Sequence, residues 1–273
     1  MRRPTAVFPA LFLVLGLADR AAADVIVPSA FATTSGGAQS TVVFQSTART
    51  YQCQVDRSQL AGLNLGDQIT GMTFRFTSIS ISGSLPATWN NFDIKLAQAA
   101  NSVSNMSTTF ASNMVNPVQV RSGVLSLATG AYPGGATTPT ANPFGYVINF
   151  STPYTYQGGD LVWQITHGAN DSNFTSNLDA INASNSAAGY GSLFRAYAAA
   201  SDIATTGTAS NFAVTKFITQ VPVSAAPEPG TLILGGMATV CGGAGVWRRK
   251  RKKPAGVQSE AKSSPPTTTK GHA

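Results

Sequence analysis

Charge is scarce in this chain, and one acidic residue type is nearly missing from it. Only 11% of its 273 residues are charged, and no glutamate occurs anywhere between Asp24 and Ala226. In that stretch seven bases (Arg49, Arg57, Arg75, Lys95, Arg121, Arg195 and Lys216) face eight aspartates (Asp24, Asp56, Asp67, Asp93, Asp160, Asp171, Asp179 and Asp202), one negative charge in excess. The formal +7 of the whole chain therefore sits toward its two ends, and the interior offers no basic stripe for nucleic acid. Cysteine is as sparse: Cys53 is the single one in the interior and Cys241 lies near the C-terminus, so no disulfide joins the interior to itself. About 200 residues bury enough apolar surface to manage without one. The alternation of Tyr51, Cys53 and Val55 with Gln52 and Gln54 predicts a buried, structural thiol on the apolar face of a strand. His167 is the only histidine of the interior, which excludes a zinc site with two imidazoles within one chain. No G-x-S-x-G elbow is present, and no aspartate spacing selects a pair for glycoside hydrolysis. The expectation is a non-enzyme with no metal and no cofactor.

What the ends do contain is ordered. Arg2 and Arg3 precede an apolar run of 13 residues from Ala6 to Ala18, and Ala21-Ala22-Ala23 supplies small residues before Asp24. This predicts a secretory signal peptide over 1–23, read by signal peptidase through Ala21 and Ala23. The run is short for a membrane span, and no cysteine follows that could carry a lipid. At the other end Pro227-Glu228-Pro229 is followed by an uncharged stretch from Gly230 to Trp247 and then by Arg248, Arg249, Lys250, Arg251, Lys252 and Lys253. A helix over 231–247 rises about 26 Å at roughly 1.5 Å per residue, the short end of what crosses a hydrocarbon core near 30 Å. Six glycines from Gly230 to Gly245 lower the hydrophobicity of the stretch, and Ala238 with Gly242 forms a small-xxx-small pair that lets another helix approach. The six bases fix that flank in the cytoplasm and leave Pro227 outside.

These residues carry a family resemblance. Ala226-Pro227-Glu228-Pro229-Gly230-Thr231, the glycine-rich span and the basic cluster resemble the PEP-CTERM sorting signal of bacterial exported proteins. The resemblance covers about 27 residues and implies that Pro227, Glu228 and Pro229 are recognised by exosortase, an intramembrane cysteine transpeptidase-like enzyme that cuts near them. It makes this chain a substrate. The pattern departs from the family after the cluster, because a Ser/Thr/Pro-rich tail runs from Pro254 to Ala273; its composition predicts disorder. Val25-Ile26-Val27-Pro28, Tyr51 and Ile69 to Arg75 also look like ectodomains of uncharacterised members of that group, which brings no known activity.

The interior predicts one mainly β domain over 24–222, joined by a linker at 223–230 to the transmembrane helix at 231–247 and the basic, disordered tail at 248–273. Nine strands are expected: Thr41–Gln45, Arg49–Val55, Gln68–Ser78, Phe92–Ala97, Val118–Leu127, Gly145–Phe150, Leu161–His167, Ser192–Tyr197 and Phe212–Gln220. Asp56 to Gly62 holds a single helical turn, and Gly130 to Pro143 and Gly168 to Asn177 read as surface loops. Strands so spaced point to a β-sandwich or jelly roll with inward aromatics. His167 is expected at a solvent-edge strand terminus. Oxygen-bearing side chains recur at Asp171, Asn173, Thr175, Asn177 and Asp179, an alternation that can wrap calcium. Ser176 stands where the loop needs glycine and Asn182 where it needs glutamate, so a solvated Asn-rich loop is expected instead. Trp89, Tyr132, Tyr154, Tyr156 and Tyr190 are expected to pack in the core or under loops; exposed, they would stack sugar rings. The functional expectation is an exported surface or matrix protein of structural or adhesive role, with exosortase and signal peptidase as processing enzymes. The alternative is a carbohydrate-binding module of the exopolysaccharide matrix.

Overall fold

The computed structural model describes residues 23–77, 85–136 and 138–222. Among them the chain is mainly β, with fifteen strands: β1 (Val25–Val27), β2 (Ala38–Ser40), β3 (Arg49–Val55), β4 (Gln68–Phe74), β5 (Ala87–Trp89), β6 (Phe92–Ala99), β7 (Met114–Arg121), β8 (Leu125–Leu127), β9 (Ile148–Thr155), β10 (Leu161–His167), β11 (Leu178–Ile181), β12 (Phe194–Ala199), β13 (Thr208–Ala209), β14 (Phe212–Ala213) and β15 (Thr215–Gln220). Helix is confined to short 3-10 turns, and no helix among the described residues is long and apolar enough to cross a membrane. The expected transmembrane helix at 231–247 lies outside the described residues.

Two antiparallel sheets carry most of the strands. One runs in the order β1-β15-β4-β9 and the other β13-β12-β3-β10-β6-β7; two smaller sheets, β14-β11-β2 and β5-β8, complete the set. Period-2 alternation turns the aromatic and branched residues of both large sheets into one shared core. Trp163 on β10 meets Phe217 on β15 edge to face, with ring centroids 5.2 Å apart, so the two sheets touch through their side chains. A second aromatic group gathers around Phe44, which contacts Phe74, Trp89, Phe92 and Tyr132 at 5.4–5.9 Å. Each such ring is worth about 1.5–3 kcal/mol when buried, with about 0.5–1.5 more from ring pairing.

The strands β3 and β10, whose apolar residues recur at every second position, fall where the sequence places them. Others differ for local reasons. The expected strand over Thr41–Gln45 is irregular, although Val43 and Phe44 are buried, and the pairing falls instead on β2 just before it. Val118–Leu127 is two strands, β7 and β8, because Gly123 turns with φ +92° between them. Phe212–Gln220 likewise divides into β14 and β15. The helical turn is the 3-10 turn Arg57–Gln59, capped by Asp56, whose Oδ1 accepts the Ser58 amide at 2.8 Å.

The outward face of β3 is polar yet buried. The segment 100–113 lies across it and bonds its amides: Gln52 Nε2 donates to Phe110 O at 3.0 Å, Asn113 Nδ2 donates to Gln52 Oε1 at 2.7 Å, and Gln54 Nε2 donates to Asn101 O at 2.6 Å, while Gln54 Oε1 is buried without a hydrogen bond. The outward face of β3 is thereby covered by this segment.

Candidate functional site

The sorting residues Pro227, Glu228 and Pro229, the basic residues Arg248 to Lys253, and Ala21 lie outside the described residues. Ala23 is described and exposed: its carbonyl accepts a hydrogen bond from Thr219 Oγ1 at 2.9 Å. Next to it Asp24 pairs with Lys216 Nζ at 3.2 Å. Val25 then enters the ladder opposite Phe217. The predicted cleavage point, between Ala23 and Asp24, therefore stands one residue ahead of β1.

The alternation from Asp171 to Asp179 is solvated only at its start, where Asp171 and Asn173 are exposed. Phe174, Thr175, Ser176 and Asp179 are buried, and the side-chain oxygens of Asp171, Thr175 and Asp179 serve the protein. Asp171 Oδ1 accepts the Thr88 amide at 2.8 Å and Thr175 Oγ1 accepts the Ser46 amide at 3.1 Å. Asp179 faces Arg75, with Arg75 Nη2 at 2.8 Å from its Oδ2. Its Oδ1 accepts from Ser35 Oγ at 2.8 Å and Gly36 N at 2.9 Å. The remaining Arg75 donors reach the carbonyls of Phe31, Ala32 and Thr34 at 2.6–3.1 Å. Gly36 is required here, since a Cβ would stand 2.4 Å from Ala180 O. No group of three or more metal-ligating side chains occurs among the described residues.

His167 does not sit at a solvent edge. It is fully buried, stacked on Phe92 with centroids 5.5 Å apart and an interplanar angle of 7°. Both ring nitrogens face carbonyls, Nδ1 toward Gly168 O at 2.7 Å and Nε2 toward Val42 O at 3.1 Å. The sequence could not reveal this, because the burial comes from Val42 and Trp89, distant in the chain. Cys53 is buried as expected, and burial pushes its thiol well up, which keeps it protonated and unreactive.

All five aromatics weighed as sugar platforms are buried: Trp89, Tyr132, Tyr154, Tyr156 and Tyr190. Trp89 also donates its indole N–H to Gln45 O at 3.1 Å. None offers a face to solvent, and packing is their role.

The candidate site lies elsewhere, where the edge strands of the two large sheets approach each other. Ser151 Oγ on β9 donates to Val120 O on β7 at 3.1 Å. Both strands depart from regular pairing beside this bridge. On β9 the register slips so that Ile69 faces Tyr154 while Gly71 faces Asn149, and Phe150 to Pro153 stand against Thr70 alone. On β7 one extra residue is accommodated at each of two slips opposite β6. The bulges hold open a groove of about 420 Å³. Its polar lining is Gln98, Asn116, Thr155 and Gln157, and its apolar lining is Val115, Val118, Pro153 and Tyr154. Burial pushes the Tyr154 phenol up to about 12, so the lining carries no charge at neutral pH. Of these residues the sequence reading singled out only Tyr154; the available signal was Asn116-Pro117 inside a valine-rich run, a dipeptide that breaks a ladder.

No family model, no curated protein and no solved structure matches this chain.

Proposed function

We propose that this chain is an exported protein bearing a PEP-CTERM-type sorting signal, cut by exosortase near Pro227-Glu228-Pro229. Its β-sandwich domain then serves a structural or adhesive role at the cell surface or in the extracellular matrix. The observation that carries the reading is the uninterrupted order of Pro-Glu-Pro, an uncharged glycine-rich stretch and six consecutive bases, opposite an N-terminus built as a signal peptide. The domain between them supports it in a general way. Its two large sheets share an aromatic core, its buried Cys53 has no disulfide partner within 24–226, and its few charges nearly balance.

The proposed sequence of events uses the chain as cargo. The signal peptide starts export and is removed at Ala23, the C-terminal span halts transfer, and the Pro-Glu-Pro is presented outside the membrane. Replacing Pro227, Glu228 and Pro229 together by alanine tests this in an exosortase-containing cell. The variant is expected to accumulate in the membrane fraction while the parent chain is released. Equal release of the two would remove the motif from the mechanism.

A further inference from the structure

We infer that the groove between β7 and β9 binds an uncharged polysaccharide segment. The hydrogen bonds of the described residues leave the side chains of Gln98 and Asn116 and the hydroxyl of Thr155 without a protein partner, although they line one groove. Gln157 is held by a single bond, from its Nε2 to Thr155 O at 2.9 Å, which leaves its carbonyl oxygen free to accept. A side-chain amide offers a donor and an acceptor side by side, and neighbouring sugar hydroxyls, each both donor and acceptor, complement that arrangement. Val115, Val118 and Pro153 supply apolar surface for the C–H edges of a sugar ring. The volume of about 420 Å³ falls within the range of small-molecule clefts.

The lining also says what does not fit. A charged ligand would be desolvated against neutral amides with no counter-charge, which is unfavourable. An extended peptide would have to add to a strand edge, and both edges refuse it. On β7 Pro117 has no N–H and Asn116 adopts φ +47°, while β9 is interrupted by Pro153 and its four-residue bulge. A neutral glycan needs side-chain hydrogen bonds and no continuous ladder, and these are what the groove retains.

The inference rests on the reading of an exported domain, because it is outside the cell that polysaccharide would be met. Its test is independent of processing. The full, uncut chain in detergent is titrated calorimetrically with short neutral oligosaccharides, with oligosaccharides containing uronic acid, and with a proline-rich extended peptide. At least one neutral oligosaccharide should bind at millimolar concentration or tighter. Gln98→Ala combined with Gln157→Ala should weaken it at least tenfold, about 1.4 kcal/mol, at an unchanged melting temperature, and Thr155→Val should weaken it independently. The inference is overturned if no neutral oligosaccharide binds, if these variants leave binding intact, or if the acidic glycan or the peptide binds instead.

Discussion

While neutral, the imidazole of His167 has one proton and two carbonyl oxygens to satisfy with it. Burial is the largest influence and pushes its pKa below the ordinary value; the Gly168 and Val42 carbonyls oppose this, Arg49 adds to it and Asp202 opposes it, with a net lowering. An unfolded histidine protonates near pH 6.5, roughly. Below that point the unfolded chain holds the extra proton and the folded chain does not, so stability rises with pH across the window. The contribution is complete above about pH 6.5 and is lost as pH falls toward the folded value. The thermal midpoint of the parent should therefore drop between about pH 7 and pH 5, and His167→Gln should flatten that slope. A midpoint that is flat or rises on acidification would show that the ring is charged in the fold. The sequence located this side chain at the end of a strand. It could not supply its environment, because the groups that bury it, Val42 and Trp89, come from other parts of the chain.

At the scale of elements, legibility followed length and alternation. Strands β3 and β10 are seven residues long, with apolar residues at every second position (Tyr51, Cys53, Val55; Leu161, Trp163, Ile165), and their bounds match the sequence expectation. Strands β1, β2, β5, β11 and β13, of two to four residues, carry too few positions for a period to emerge and were missed. The Asp171 to Asp179 alternation is legible as a pattern, but its solvation holds only at Asp171 and Asn173, and the segment from Phe174 on is largely buried. The partner that explains Asp179 is Arg75, 104 residues away, with its Nε at 2.9 Å. That pair ties the segment following β4 to β11, and through Ser35 and Gly36 it fixes the segment 31–36 against the same strand. Asp179→Ala should cost about 3–5 kcal/mol, since it strands a buried guanidinium without its counter-charge. Chemical denaturation measures this directly; a loss below about 1 kcal/mol would mean that the pair is dispensable. The groove between β7 and β9 was invisible in the sequence for a different reason. It is made by register slips on two edge strands, and a slip is a property of pairing, which a single strand's pattern does not encode.

For the whole molecule, the domain and the sorting signal are read by different rules. The domain needed coordinates, because its core is assembled from residues far apart in the chain, as Trp163 meeting Phe217 and Phe44 gathering four rings illustrate. The signal is linear, and its order of proline, glutamate, proline, glycine-rich stretch and bases is complete in the sequence. At the N-terminal end the predicted cut falls between Ala23 and Asp24, one residue ahead of the first ladder residue Val25, and leaves β1 intact. The most direct test of the account is the mass of the protein released by the cell, with its terminal peptides sequenced. The account predicts a chain that starts at Asp24 and ends at or near Pro227-Glu228-Pro229, without the span and the basic cluster. A product retaining Arg248 to Lys253, or still carrying residues 1–23, would contradict it.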